Sequence, residues 1–318
     1  MLYLFEGKLM SSAHQHRLPP LPENPTFALG IPTRGRARIL SETLADVLLQ
    51  SRPPDAIFVA YYDASDLGDA PQTFPQVTFI KGSGGSCEQR NRLLEAVGDR
   101  FNLIFIMDDD CYLHRDYLLR TQQMFLRDPS VVATTGRILE NGATGPGLKG
   151  DYARTVLAAL GPAPTLEEAP AVPHFNTDGC NMAFRVAPIH ENNVRFDENM
   201  PGYAWFEDID FSRRLLPWGR IVLLPAAQAI HLGAKVGKTS GLRYGYSQVA
   251  NPIYLMKKGV YDWYRVLESV GKNFAANLVK SMRPEPWVDR KGRLRGNLIA
   301  FRDLLTGRLR PDRILQLR

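Results

Sequence analysis

The ten residues Phe101-Asn-Leu-Ile-Phe-Ile-Met-Asp-Asp-Asp110 constrain this chain more than any others. The apolar run from Leu103 to Met107 stops at three consecutive carboxylates. A short apolar run broken sharply by polar residues reads as a buried central strand that ends at a surface edge. In an open α/β sheet, ligands bind outside the carboxyl ends of the strands, so Asp108, Asp109 and Asp110 fall where a ligand is expected. Like charges in a row repel, and partial burial raises the cost. A cation is the simplest compensation, and carboxylate oxygens suit Mg2+ or Mn2+ better than zinc. The alternative is a solvated acidic turn.

The neighbouring segments repeat the same grammar. Apolar runs at 27–31, 56–60, 77–80 and 131–135 read as further strands. Helical spacing over 39–50, 87–97 and 114–127 places helices between strands. Such alternation predicts an α/β fold, a Rossmann-like, mostly parallel sheet flanked by helices. At 318 residues and 44% hydrophobic content the chain can bury a sizeable core. No apolar run reaches membrane-spanning length. The N-terminus lacks a long apolar core before a cleavage site, so no signal peptide is read there. Cys87, Cys111 and Cys180 are widely spaced and odd in number, which fits a reducing compartment rather than a disulfide framework or a zinc site.

Several segments carry candidate chemistry. Pro32-Thr-Arg-Gly-Arg36 follows the first strand, where backbone N–H groups and guanidiniums can meet phosphates. Asp63 follows the second strand; its carboxylate suits a ring N–H or an Asx-turn cap. Lys81-Gly-Ser-Gly-Gly-Ser86 is glycine-rich but lacks the Lys-Ser/Thr ending of a phosphate-binding P-loop. Residues 141–175 show little periodicity and read as an irregular excursion. Glu207 and Asp208 open a helix over 207–216, where the macrodipole favours negative charge. Tyr203 and Trp205 precede them, and flat rings beside carboxylates suit a sugar. His231 follows a strand-like run and is a candidate for metal or phosphate contact, although a lone histidine is more often structural.

Charge divides the chain unevenly. Residues 290–318 hold nine Lys or Arg against two acids, a net +7, which leaves −1 of the overall +6 for the rest. The body is therefore not a basic nucleic-acid binder. Residues 1–25 read as a flexible leader, 26–232 as the catalytic domain and 233–318 as a basic helical extension. Over 294–305, Leu294, Leu298, Phe301 and Leu305 share one helical face flanked by Arg295 and Arg302. That face can lie on an anionic membrane or pack on protein.

Taken in order, these motifs resemble the family 2 glycosyltransferases over about residues 26–260. Pro32-Thr33 with Arg36 looks like the family's first-strand turn, and Asp63-Ala-Ser65 like its base-contacting Asp-Gly-Ser. Arg90-Asn91 looks like its Arg-Asn pair, and Asp108-Asp-Asp110 like its D-x-D signature. Gly179-Cys-Asn-Met-Ala-Phe-Arg185 is similar to the acceptor-side Gly-x-Asn segment, and Glu207-Asp208 to the Glu-Asp motif. Two departures stand out: Tyr62 replaces a frequent acid, and Ala64 replaces the glycine.

The resemblance implies a GT-A fold and inverting, metal-dependent transfer of a sugar in polysaccharide biosynthesis. The donor would be a nucleoside-diphosphate sugar of UDP or dTDP type, and the acceptor a glycan or lipid-linked hydroxyl. Asp208 would be the base, beside Glu207. Pro32, Thr33, Arg36, Asp63, Arg90, Asp108 and Asp109 would lie on the nucleotide-sugar side. Asp110, with Asp108 and His231, would hold Mg2+ or Mn2+. Trp205, Tyr203 and Asn181 would face the acceptor. The expected place is the cytoplasm, at the inner face of the plasma membrane through the basic helix. A non-catalytic nucleotide-sugar binding module and a sugar nucleotidyltransferase are the alternatives.

Overall fold

Strand β4 (Leu103–Met107), buried throughout, lies inside a nine-stranded sheet. The computed structural model describes residues 18–235 and 240–317. The other strands are β1 (Phe27–Thr33), β2 (Ala56–Tyr61), β3 (Thr78–Lys81), β5 (Cys111–Leu113), β6 (Val131–Asn141), β7 (Val172–Pro173), β8 (Asn181–Arg185) and β9 (Arg220–His231). Their order is β3-β2-β1-β4-β8-β6-β9-β5, with β7 beside β9. The first four run parallel. β8 is inserted antiparallel between β4 and β6, and β9 then runs parallel to β6.

Alternate residues of the central strands feed two cores. Phe27, Leu29, Ile31, Leu103, Phe105 and Met107 pack on one face, and Ala28, Ile104 and Ile106 on the other. Each large side chain so buried stabilises the fold by about 1.5–3 kcal/mol. Helices α1 (Ala37–Leu48), α2 (Ala70–Thr73), α3 (Ser86–Val97), α4 (Tyr117–Arg127), α5 (Gly150–Ala159), α6 (Val186–Glu191) and α7 (Glu207–Arg214) connect the strands. The excursion expected over 141–175 therefore contains a helix, α5, whose Ala153 and Leu157 are buried. Leu18 and Leu21 pack against the two cores, so the described end of the leader is docked on the sheet. The leader's first seventeen residues lie outside the described ones.

Three helices complete the chain: α8 (Gly241–Lys257), α9 (Trp263–Lys280) and α10 (Arg290–Leu305). The leucine face expected for α10 is not its packing face. The buried residues are Gly296, Asn297, Ala300 and Asp303, while Leu298 and Leu305 are exposed. The reason is a close crossing with α8. A Cβ on Gly245 would sit 2.0 Å from the Arg293 carbonyl, and one on Gly296 would sit 2.1 Å from that of Leu242. Leucines do not fit there, so small residues meet and amides span the remaining gap. Asn277 Nδ2 donates to Gln248 Oε1 and Asn297 Oδ1, both at 2.9 Å, and Asn297 Nδ2 donates to the Gly245 carbonyl at 2.7 Å.

Candidate active site

The carboxyl ends of β1 and β4 meet at the acidic triplet, and its members point different ways. Asp109 is fully buried. Its carboxylate accepts from Thr33 Oγ1 at 2.6 Å and lies 2.9 Å from Arg36 Nη2. Arg36 reaches on to Asp110 at 3.0 Å, while Arg90 lies 3.2 Å from Asp108. The repulsion expected of three adjacent carboxylates is thus met by two guanidiniums of the chain itself. A metal is not needed to explain the triplet's charge; the case for one rests on its donor geometry.

That geometry comes from strands distant in sequence. Parallel pairing sets Asn141 opposite His231, and antiparallel pairing sets Cys111 opposite the same histidine. Asp108, Asp110 and His231 consequently each offer a ligand atom within 4.8 Å of the others. His231 Nε2 lies 3.3 Å from Asp110 Oδ1 and 4.0 Å from Asp108 Oδ2. The other ring nitrogen is 3.1 Å from Asn141 Oδ1, which also accepts from the Ala143 N–H at 2.9 Å. This pattern makes Nδ1 a donor and leaves Nε2 facing the aspartates, the nitrogen that would ligate a metal once its proton is displaced. Asp110 Oδ1 is buried and faces His231 Nε2, and Oδ2 accepts from the Ala234 N–H at 2.7 Å. Two carboxylates and an imidazole converging within 4.8 Å of one another fit a divalent cation such as Mn2+ or Mg2+. Burial opposes charge on His231, but the hydrogen bond to Asp110 and the surrounding negative groups prevail and push its pKa up to about 9.

Arg90 joins this acidic cluster to the second one. The third residue after Cys87 on α3, it is 3% exposed. Its guanidinium contacts Glu207, Asp108 and the Gly179 carbonyl. Gly179 in turn donates its N–H to Asp208 Oδ2 at 2.9 Å. Asp108, Glu207 and Asp208 therefore surround a single guanidinium and a single glycine. The turn into α7 is strained: Ala204 and Phe206 hold φ of 51° and 76°, the left-handed region uncommon for residues with a Cβ. This turn sets Glu207 and Asp208 at the cleft. Burial pushes the Asp208 carboxyl up to about 6. It also raises that of Glu207, against the pull of Arg90.

The remaining expected residues divide between wall and frame. Tyr203 is half-exposed, with its ring stacked at 18° to Trp205 and 6.4 Å away. Asp63 caps the turn after β2, accepting from the Ser65 N–H at 2.9 Å. Asn181 does not reach the cleft surface. It is fully buried, accepts from Thr135 at 2.6 Å and donates to the Gly136 carbonyl at 3.1 Å, so it belongs to the frame between β6 and β8. Pro32 and Thr33 are buried in the β1 turn. Three participants escaped the sequence reading: Asn141 and the N–H groups of Ala234 and Gly179. Backbone donors have no sequence signature, and Asn141 meets His231 only through strand pairing.

A mostly parallel sheet with acidic groups at the carboxyl ends of its central strands is an α/β architecture with its ligand site at those ends. The family described as Glycosyl transferase family 2 matches residues 29–191, just over half of the chain. The chain belongs to that family and is a glycosyltransferase with the GT-A fold. No curated protein matches the sequence. Among solved structures, residues 1–349 of S. aureus TarS align with a TM-score of 0.55 at 14% identity, covering 89% of this chain and 82% of that one. TarS 1–349 has also been solved with UDP and with UDP-GlcNAc. The mannosyltransferase PcManGT from Pyrobaculum calidifontis, solved with GDP-Man and Mn2+, gives 0.52 at 16% identity, covering 91% and 81%. At these identities the likeness is one of fold.

Proposed function

We propose that this protein is an inverting transferase that moves a sugar from a nucleoside diphosphate to an acceptor hydroxyl, with Asp208 as the base. The observation that carries this reading is the position of Arg90, in contact with both Asp108 and Glu207, while the Gly179 it also holds is bonded to Asp208. Leaving-group side and acceptor side are thereby joined through one cation. Bound nucleotide sugars in TarS and PcManGT support a donor of that kind, UDP or dTDP type by the motif resemblance, with a glycan or lipid-linked acceptor.

Asp108, Asp110 and His231 would hold a divalent cation, and PcManGT's Mn2+ supports that assignment. Such an ion neutralises charge on a diphosphate leaving group. Arg90 adds a fixed positive charge on the same side. Asp208 takes the proton from the attacking hydroxyl, and a carboxyl pushed up to about 6 is still ionised at neutral pH and more basic than an ordinary aspartate. One base and no second nucleophile give displacement with inversion. Tyr203 and Trp205 offer aromatic faces for the acceptor ring. Asp208→Asn is expected to bind nucleotide as wild type does and to lose transfer by about 10²–10⁴-fold. Wild-type turnover in that variant rules out the base.

The helical extension supports a further element of this reading, attachment to an anionic membrane. No helix among the described residues is long and apolar enough to cross one. Trp263, Tyr264, Leu267, Leu278, Val279 and Met282 are exposed along α9 and just beyond it. Lys280, Arg283, Arg295 and Arg302 add positive charge nearby. Exposed aromatic and aliphatic side chains with basic neighbours suit the interfacial layer of a bilayer. The apolar part of the contact is thus carried by α9 more than by the α10 face.

A further inference from the structure

We propose that Arg293 binds an anionic group, a phosphate or a carboxylate, carried by the acceptor. This rests on the reading that Tyr203 and Trp205 face the acceptor. The C-terminal helices contribute directly to that wall. The Tyr244 ring, in the first turn of α8, lies 5.4 Å from both Tyr203 and Trp205. Asn251 Nδ2 donates to the Trp205 carbonyl at 2.7 Å, fastening the loop ahead of Glu207 to α8.

Arg293 of α10 lies over the other side of this cluster, its guanidinium 4.3 Å from the centre of the Tyr244 ring. Among the described residues it has no ion pair within 4 Å, Asp289 acting on it only from farther away, and its Nε is buried without a hydrogen-bond partner. Its neighbour Arg290 differs: it pairs with Glu285 at 2.9 Å and bonds Asn277 at 3.1 Å. A partly buried cation without a counter-charge costs stability, and structural arginines are normally paired. A second unsatisfied donor belongs to the same cluster, the buried indole Nε1 of Trp205. A guanidinium and an indole N–H, both donor-only groups, flank rings suited to a sugar. Together they call for oxygens that only accept, as those of a phosphate or carboxylate do.

The test uses the full chain with MnCl2. UDP, dTDP and GDP are first screened by thermal shift, and the nucleotide giving the largest shift is kept saturating. Glycerol 1-phosphate and glucuronate are then titrated beside glycerol and glucose by calorimetry. Wild type is expected to bind at least one anionic probe about tenfold or more tightly than its neutral analogue. Arg293→Gln should abolish that preference and Arg293→Lys should retain part of it, with the nucleotide shift unchanged in both. Trp205→Phe keeps the ring, removes the N–H and should weaken the anion severalfold. The melting temperature of Arg293→Gln should match or exceed that of wild type, because an uncompensated cation is lost; an arginine needed for packing would lower it. Equal binding of anionic and neutral probes, or unchanged anion binding in Arg293→Gln, overturns the proposal. The relative response to phosphate and carboxylate identifies the group. If no nucleotide shifts wild type, the anion titration is run in MnCl2 without nucleotide, and that failure counts against the donor reading alone.

Discussion

At the scale of single residues, both halves of the site hold their protons more tightly than free side chains do. The Asp208 carboxyl is pushed from near 3.8 up to about 6 by burial. Its base form appears above that value, so kcat/KM should rise about tenfold per pH unit below about pH 6 and level off above it. A flat profile through this range would contradict the assignment. A carboxyl raised on folding favours the folded state while protonated. That contribution is present below the unfolded pKa and is lost as pH rises through about 6. Melting temperature should therefore fall more between mildly acidic and neutral pH in wild type than in Asp208→Asn. His231 is raised as well, to about 9, and its contribution is present below the ordinary 6.5 and lost as pH rises through about 9. A metal must displace that proton, so apparent Mn2+ affinity is expected to increase with pH up to that value. Asn141→Ala releases the ring's other nitrogen and should weaken Mn2+ about 10–100-fold by calorimetry. Unchanged affinity would mean that Asn141 does not orient the ligand.

At the scale of elements, the crossing of α8 and α10 is the most demanding contact. Gly245→Ala would put a methyl group 2.0 Å from a backbone carbonyl, which cannot swing aside as a side chain could. A loss of about 1–3 kcal/mol is expected, read as a lower melting temperature. Since α8 carries Tyr244 and Asn251, the acceptor KM should rise while nucleotide affinity holds. An unperturbed KM at reduced stability would separate the helices from the acceptor wall. Helix α5 is hard to see in sequence because Gly145, Pro146, Gly147, Gly161, Pro162 and Pro164 crowd its flanks and hide the periodicity of its 10 residues. On α10 the sequence marked an apolar face but not the small residues that meet α8. Periodicity ranks apolar residues, but packing there is decided by how closely two backbones approach.

At the scale of the whole molecule, positive charge and exposed apolar side chains coincide in the C-terminal helices. Trp263 is 65% exposed, Leu267 65% and Met282 78%. The protein is expected to co-sediment with vesicles rich in anionic lipid, less with neutral ones, and less again at high salt. Trp263→Ser combined with Leu267→Ser should reduce sedimentation without changing soluble-acceptor turnover. Equal sedimentation of the variant removes α9 from any membrane contact.

Much of the fold was legible in the chain itself. Strands such as Leu103–Met107 are continuous apolar runs, and burial on both faces requires that composition. The acidic triplet, Arg90 and Glu207-Asp208 were visible as candidates because few structures tolerate such groups near a core without partners. Their partners were another matter. That Asp109 turns inward to Thr33 and Arg36, that Asn181 serves the frame, and that Asn141 meets His231 all depend on strand register across large sequence separations. The same holds for Arg293, which no motif marks. Local sequence records what a residue can donate, accept or bury. Only the tertiary structure decides which of those capacities the neighbouring strands and helices have already satisfied.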